Sequence, residues 1–180
     1  MHLLNDSKYL RQLRAQQKIR VLLLCLGNIC RSPMANAVLA GKTADLKNPL
    51  VVVDSSGTGP WHVGEDATDL SRQVWQQAGY NYAHRAKQFN IKFFDNYDLI
   101  LAMDLSNRQT VLKMARSEED SKKIFMFSSF DSEKSQIDPD GPQAERLSVP
   151  DPYGQELAKY KEVLKLVEQA AEGFNLWVRS

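Results

Sequence analysis

The residues whose types and spacing could carry out a reaction are Cys25 and Arg31, with five residues between them. A cysteine thiolate is a nucleophile, and an arginine guanidinium can bind two oxygens of a phosphate at once. Gly27 and Asn28 lie between them, and both residue types tolerate the left-handed backbone conformations of a tight turn. The pattern predicts an anion-binding loop in which backbone amides hold a phosphate-like oxyanion against the sulfur of Cys25.

The sequence on either side of this loop predicts the elements that position it. Residues 19–24 are nearly all apolar, as in a parallel strand that is covered on both faces. Pro33 suits the first turn of a helix, where its missing N–H costs nothing. Ligands of open α/β sheets bind beyond the carboxyl ends of the strands, and a helix N-terminus favours a bound anion and a thiolate. The loop therefore lies where a binding site is expected.

Three further apolar runs and four helix-length stretches predict the rest of the fold. Strands are expected at 50–53, 99–102 and 124–127, and helices at 33–42, 67–78, 106–115 and 155–177. Strands that alternate with helices at this spacing predict right-handed crossovers and a parallel sheet. We expect an α/β three-layer sandwich with a four-stranded parallel sheet.

The composition predicts a single domain and excludes several partner classes. The 180 residues are 43% apolar and 25% charged, with a formal net charge of +1 and two cysteines. Such a charge gives no broad attraction for nucleic acid or an anionic membrane, and two cysteines make no disulfide framework. We expect a cytoplasmic protein with no metal or other cofactor. Residues 1–18 are expected to be a helical or disordered N-terminal extension, 19–180 a single domain and 131–151 a long surface loop.

The stretch from Val21 to Ala35 resembles the phosphate-binding loop of the low-molecular-weight protein tyrosine phosphatases almost residue for residue. Further matches follow in the family's order, namely Val53-Asp54-Ser55, Trp61, His84-Arg85-Ala86, the segment 97–104 with Asn107, and Asp151-Pro152-Tyr153. The resemblance covers residues 19 to about 177 and implies the flavodoxin-like fold of that family. Gly154 stands where eukaryotic members usually have a second tyrosine. In lacking that tyrosine, the chain resembles bacterial-type members.

The resemblance implies a metal-independent protein-tyrosine phosphatase that forms a phosphocysteine intermediate. Cys25 would be the nucleophile, Arg31 would bind the phosphoryl group, and Asp151 would act as general acid and then as general base. The phosphate-binding loop would further comprise Leu26, Gly27, Asn28, Ile29, Cys30 and Ser32. The substrate would be a protein carrying phosphotyrosine, with a bacterial tyrosine kinase and a host protein as candidates. The resemblance to bacterial-type members also leaves secretion into a host cell open.

Supporting roles are also implied by the resemblance. Ser32 would hydrogen-bond the sulfur of Cys25, while Ser55 and His84 would hold the loop in shape through Asn28. Trp61 and Tyr153 would wall a crevice for the phenol ring. The thiol of Cys30 would form a reversible disulfide with the nucleophile. Asp104 and Asn107 also align near the family's active site, but capping of the helix that follows explains these two residues equally well.

Three alternative functions remain for a chain with this loop. Phosphoarginine phosphatases share the fold but tend to carry Thr where this chain has Ile29. Arsenate reductases of this fold need cysteines downstream of Cys30, and none is present. A non-catalytic phosphotyrosine-binding module or an FMN-binding flavodoxin-like protein is expected to lack Cys25 or Asp151.

Overall fold

The computed structural model describes residues 7–180, and its centre is one sheet of four parallel strands. The strands are β1 (Lys18–Cys25), β2 (Leu50–Gly57), β3 (Leu99–Ala102) and β4 (Ile124–Met126), in the order β2-β1-β3-β4. β1 pairs with β2 along its whole length and with β3 over Val21 to Leu24. The predicted parallel α/β fold is confirmed.

Helices connect the strands and cover both faces of the sheet. They are α1 (Lys8–Arg14), α2 (Arg31–Lys42), α3 (Asp69–Gln77), α4 (Phe93–Asn96), α5 (Leu105–Met114), α6 (Glu118–Ser121) and α7 (Leu157–Arg179), with 3₁₀ turns at Phe127–Phe130 and Ala144–Leu147. Gly79, two residues beyond α3, has a φ of 89°, the left-handed conformation that commonly ends a helix.

The alternation of side chains along β1 produces the three layers. Val21 and Leu23 belong to a buried cluster with residues of α2 and α7, whereas Leu22 and Leu24 belong to a second cluster that includes Phe94 and Val111. Since successive side chains of a strand point to opposite faces, both faces need apolar residues. This explains the nearly continuous apolar run in β1.

Several boundaries differ from those that the sequence predicts. β2 continues four residues past Val53, because Asp54 to Gly57 keep pairing with β1 although they are not apolar. α2 begins at Arg31, two residues before Pro33. Phe127 starts a 3₁₀ turn instead of ending β4. The short helices α4 and α6 were not predicted, since four-residue helices have no apolar periodicity to detect.

The N-terminal helix α1 is docked on the main core. Its Leu10 and Leu13 are buried, with exposed fractions of 0% and 1%. The hydroxyl of Tyr9 donates to the carbonyl of Asp98 at 2.6 Å. The side chain of Ser7 caps the helix by accepting from the N–H of Leu10. Residues 1–6, which belong to the expected extension, lie outside the described residues. Within 7–180 no helix is long and apolar enough to cross a membrane.

Candidate active site

The loop between β1 and α2 turns its carbonyl groups outward. The carbonyl of Leu26 accepts from the N–H of Gly59, that of Ile29 from the N–H of Thr68, and that of Cys30 from the hydroxyl of Ser71. The carbonyl of Asn28 accepts from His84 at 2.7 Å. Because the carbonyl and N–H of a trans peptide point in opposite directions, these outward carbonyls direct the loop amides inward. The loop thereby forms the predicted amide-lined concavity.

Asn28 is the residue on which the loop turns. Its φ is 57°, and it is fully buried. Its side-chain amide donates to the hydroxyls of Ser32 and Ser55, both at 2.9 Å, and its side-chain oxygen accepts from the N–H of Lys87 at 2.9 Å. With its backbone groups also paired, every polar group of Asn28 has a partner. These bonds offset the cost of a left-handed conformation at a residue with a side chain.

The sulfur of Cys25 lies at the end of β1 among hydrogen-bonding groups. The hydroxyl of Ser32 is 3.0 Å from Sγ, and the N–H of Asn28 donates to Sγ at 3.2 Å. Cys25 is 2% exposed and is a free thiol, as is Cys30. The N–H of Asn28 and the nearby hydroxyl of Ser32 therefore hold the sulfur at the base of the loop, where a nucleophile would have to lie to reach a bound oxyanion.

Arg31 is buried between two carboxylates at the edge of the pocket. One terminal nitrogen of its guanidinium lies 2.6 Å from Asp104 and donates to the carbonyl of Val149, and the other lies 3.1 Å from Asp151. Burial alone would lower the pKa of Arg31, but the nearby Cys25 and the two carboxylates outweigh it and raise that pKa. The buried Nε atom has no hydrogen-bond partner within the described part of the chain, so one donor of the guanidinium is left for a bound anion.

Asp151 comes from a segment far along the chain that crosses the carboxyl edge of the sheet. The N–H of Val149 donates to the carbonyl of Met103, just beyond β3, at 2.7 Å. The carboxylate of Asp151 also accepts from the N–H of Tyr153 at 3.1 Å, which closes a local turn. These bonds hold Asp151 beside Arg31 and place Tyr153 at the entrance.

A pocket with about 460 Å³ of empty space, part of which is open to solvent, lies over the loop. Its lining residues are Cys25, Leu26, Gly27, Ile29, Cys30, Arg31, Trp61, His62, Asp151 and Tyr153. Trp61 and Tyr153 are 65% and 59% exposed, so they stand at the rim. The pocket thus combines a charged, amide-lined floor with aromatic and aliphatic walls.

The structure brings together all the site residues that the sequence singled out. Nine of them line the pocket, and the remaining four, Asn28, Ser32, Ser55 and His84, are hydrogen-bonded to one another behind the loop. Burial raises the pKa of the Cys30 thiol, whose sulfur lies 3.5 Å from the hydroxyl of Thr68. Within residues 7–180, no group of three or more His, Cys, Asp or Glu side chains could hold a metal ion.

The sequence did not single out His62 as a lining residue of the pocket, and it left the role of Asp104, which binds Arg31 from outside that lining, undecided. His62 lines the pocket and contacts the oxygen of Glu65 at 2.8 Å; its only signal in the sequence is its position next to Trp61. Asp104 has both roles that were weighed, because one oxygen caps α5 through the N–H of Asn107 and the other binds Arg31. Its position shortly after β3, at the carboxyl edge of the sheet, was the available signal.

Comparisons with known proteins converge on one family. The family model described as low molecular weight phosphotyrosine protein phosphatase matches residues 20–179. A low molecular weight protein-tyrosine-phosphatase of Streptomyces coelicolor is 37% identical over 161 residues, which are 89% of this chain and 93% of the relative.

Solved structures agree with the sequence relatives. A protein tyrosine phosphatase of Entamoeba histolytica superposes with a TM-score of 0.76 at 30% identity, covering 88% of this chain and 95% of that one. The YwlE arginine phosphatase of Geobacillus stearothermophilus superposes with a TM-score of 0.74 at 28% identity, covering 89% and 93%. The fold is therefore shared by phosphatases of two named specificities.

Proposed function

Because the chain belongs to the low molecular weight phosphotyrosine protein phosphatase family, we propose that it hydrolyses phosphotyrosine in proteins through a phosphocysteine intermediate. The observation that carries the proposal is the sulfur of Cys25, which lies on the floor of the pocket and is hydrogen-bonded by Ser32 and Asn28. Few other reactions need a charged sulfur nucleophile inside a ring of amide donors with an arginine beside it.

In the first step, the Cys25 thiolate attacks phosphorus, the sulfur–phosphorus bond forms, and the bond to the phenolic oxygen breaks. The loop amides and the guanidinium of Arg31 stabilise the charge on the three non-bridging oxygens. Asp151, protonated at this stage, gives its proton to the leaving phenolic oxygen. A bound phosphate also competes with Asp151 for the guanidinium, which frees the carboxyl group for the leaving group.

In the second step, a water molecule attacks phosphorus and the sulfur of Cys25 leaves as a thiolate. Asp151, now a carboxylate, takes the proton from the water, so its role reverses between the steps. The hydroxyl of Ser32, 3.0 Å from the sulfur, stabilises the departing thiolate. Inorganic phosphate is released and the starting state is restored without a metal ion.

The walls of the pocket favour an aryl phosphate over phosphoarginine. Ile29 is an apolar side chain that lines the pocket, and Trp61 and Tyr153 present aromatic faces at the rim. These groups stack on or enclose a phenol ring, whereas a phosphoguanidinium group needs polar partners. The similarity to an arginine phosphatase keeps phosphoarginine as the second candidate, and phosphopeptides with phosphotyrosine, phosphoserine or phosphoarginine in one sequence context would distinguish them.

The test of the reaction is turnover of p-nitrophenyl phosphate in the presence of a chelator. We expect the wild type to be active and Cys25→Ser to lose all measurable turnover, because a serine hydroxyl is a far weaker nucleophile at neutral pH. The Cys25→Ser protein should still bind inorganic phosphate in calorimetry, since the loop amides and Arg31 remain. Full turnover by Cys25→Ser would contradict the proposal.

For the setting of the enzyme, we propose substrates that carry phosphotyrosine, with a bacterial tyrosine kinase or a host protein as the candidates. The two free cysteines support a reducing cytoplasmic location, and secretion into a host cell is the alternative. We also propose that residues 19–180 are the phosphatase domain, with residues 1–18 as an extension to it.

A further inference from the structure

One outward carbonyl of the loop is held by a different kind of donor. The carbonyls of Leu26 and Ile29 accept from backbone amides, which always carry a proton. The carbonyl of Asn28 accepts instead from Nε2 of His84, at 2.7 Å. A neutral imidazole has only one N–H, so Nε2 donates only in one of the two tautomers. Something must therefore select that tautomer.

The other ring nitrogen of His84 has a partner that can make this selection. The hydroxyl of Tyr82 lies 3.3 Å from Nδ1, and the side-chain amide of Asn36 donates to the same hydroxyl oxygen at 2.9 Å. An amide NH₂ can only donate, so it does not take the hydroxyl proton of Tyr82. The hydroxyl of Ser55 is also hydrogen-bonded to Tyr82; its oxygen already accepts from Asn28, so it can donate to Tyr82 in turn, which leaves the hydroxyl proton of Tyr82 for Nδ1. Asn36 is 1% exposed and lies on α2, the helix that begins at the loop. The chain of bonds thus runs from Asn36 through Tyr82 and His84 to the backbone of Asn28.

We propose that Tyr82 and Asn36 are positioning residues of the phosphate-binding loop, because they fix His84 as the tautomer that donates from Nε2 to the carbonyl of Asn28. This proposal rests on the proposed function of the loop. Holding that carbonyl outward directs the N–H of Ile29 to the opposite side of the peptide, towards the pocket. The hydroxyl of Tyr82 therefore influences phosphate binding without touching the phosphate.

The surroundings of His84 favour the neutral ring that this arrangement needs. Burial lowers the pKa of His84 and outweighs the hydrogen bond to the Asn28 carbonyl and the carboxylates of Asp66 and Asp54, which act to raise it, while the ammonium of Lys87 acts with burial. Burial also raises the pKa of Tyr82, so its hydroxyl keeps its proton. With a pKa below its usual value, His84 stays neutral at neutral pH. Protonation in acid would put a second N–H on the ring and force the bond with Tyr82 to reverse.

The central test is Tyr82→Phe, with Tyr80→Phe as the matched control. Both changes remove one hydroxyl, but the hydroxyl of Tyr80 donates to Glu168 on α7, away from the loop. We expect Tyr82→Phe to weaken the binding of inorganic phosphate and to lower kcat/KM by about 3- to 10-fold, which corresponds to one hydrogen bond. Tyr80→Phe should leave both unchanged. Nitrogen NMR of the His84 ring should show a mixture of tautomers only in Tyr82→Phe.

A second variant, Asn36→Asp, tests the direction of the bonds. A carboxylate at this position accepts the hydroxyl proton of Tyr82, so Nδ1 of His84 loses its donor and gains an acceptor. We expect the NMR titration of His84 to move to higher pH and the acid side of the kcat/KM profile to change with it. An acid limb that stays in place while the titration moves would show that His84 does not control the loop.

The outcomes separate this proposal from the proposed function. If both variants keep the wild-type tautomer and phosphate affinity, the positioning role is wrong. A loss of thermal stability shared equally by Tyr82→Phe and Tyr80→Phe, with no change in tautomer or phosphate affinity, would also refute it. If the wild type itself does not turn over an aryl phosphate, the proposed function fails, while the NMR and phosphate-binding results still decide whether Tyr82 positions the loop.

Discussion

Asn28 illustrates at the residue scale how the site is built. It combines a left-handed backbone with full burial, and its side chain links the loop to β2 and to the segment around Lys87. A glycine would adopt the same φ without strain but would leave Ser32 and Ser55 without the amide that joins them. The position therefore needs a residue that tolerates the conformation and also makes the bonds.

The carboxyl of Asp151 should matter most when the leaving group is poor. We expect Asp151→Asn to lower kcat on phenyl phosphate by about 10²- to 10⁴-fold, because the phenolate must then leave without a proton. The loss should be smaller on p-nitrophenyl phosphate, whose phenolate is more stable. Steady-state kinetics on both substrates measures the difference.

The matched control for this prediction is Asp138→Asn. Asp138 also precedes a proline in the same long loop, but it does not line the pocket over Cys25. We expect Asp138→Asn to retain wild-type kinetics. An equal loss for Asp151→Asn on both leaving groups would assign Asp151 a role other than proton donation.

At the scale of elements, α1 shows how a short helix becomes stable. Seven residues form at best a marginal helix in isolation, so the stability of α1 has to come from packing. Leu10 and Leu13 supply that packing, the cap by Ser7 and the bond from Tyr9 to Asp98 hold the N-terminal end, and Arg14 at the other end donates to the carbonyl of Trp177. The helix covers core residues of the domain that follows it.

Shortening a buried leucine of α1 should destabilise the whole protein. Leu10→Ala removes a fully buried side chain, and such changes cost about 2–5 kcal/mol. Gln12→Ala, on the exposed side of the same helix, should change the free energy of unfolding by less than about 0.5 kcal/mol. Urea denaturation measures both, and wild-type stability of Leu10→Ala would show that α1 is not part of the cooperative core.

At the scale of the whole molecule, the carboxyl edge of the sheet gathers the site. β1 supplies Cys25, β2 leads to Trp61, the turn after β3 supplies Asp104, and the loop before α7 supplies Asp151. Parallel strands all end at this edge, so distant segments meet there. A nearly neutral chain can therefore build an anion-binding site from local groups, namely the loop amides and the guanidinium of Arg31.

The packing of α7 against the 3₁₀ turn at Phe127–Phe130 leaves no room for a side chain at one point. A Cβ at Gly173 would overlap the carbonyl of Phe130, which is backbone and cannot move aside cheaply. Alanine in a helix interior is normally about 1 kcal/mol better than glycine, yet we expect Gly173→Ala to lower the free energy of unfolding by at least about 1 kcal/mol.

Gly41→Ala is the control for this packing, because a Cβ there meets only the ring of Tyr80, a side chain that can shift. In urea denaturation, we expect Gly41→Ala to lower the free energy of unfolding by less than Gly173→Ala does. If Gly173→Ala were more stable than the wild type, the close approach of α7 to Phe130 would be wrong.

Much of this protein is determined by short stretches of its sequence. The apolar runs predict all four strands, because strands of a parallel sheet are rich in apolar residues. In the edge strand β2, however, Leu50 and Val52 are 42% and 38% exposed, so its apolar run is not covered on both faces. The loop from Cys25 to Ser32 is equally local, because a turn, an anion nest and a helix start are formed by consecutive residues. The nine pocket residues predicted from the sequence all line one pocket in the structure.

The tertiary structure alone decides what depends on distant segments meeting. No local pattern predicts that Asp104 binds Arg31 while it caps α5, or that Asn36 and His84 both contact the hydroxyl of Tyr82. Nor could the sequence show that α1 packs into the core, since two leucines in seven residues suit a frayed tail equally well. Hydrogen bonds between residues tens of positions apart follow from how the layers stack, and stacking is a property of the folded chain.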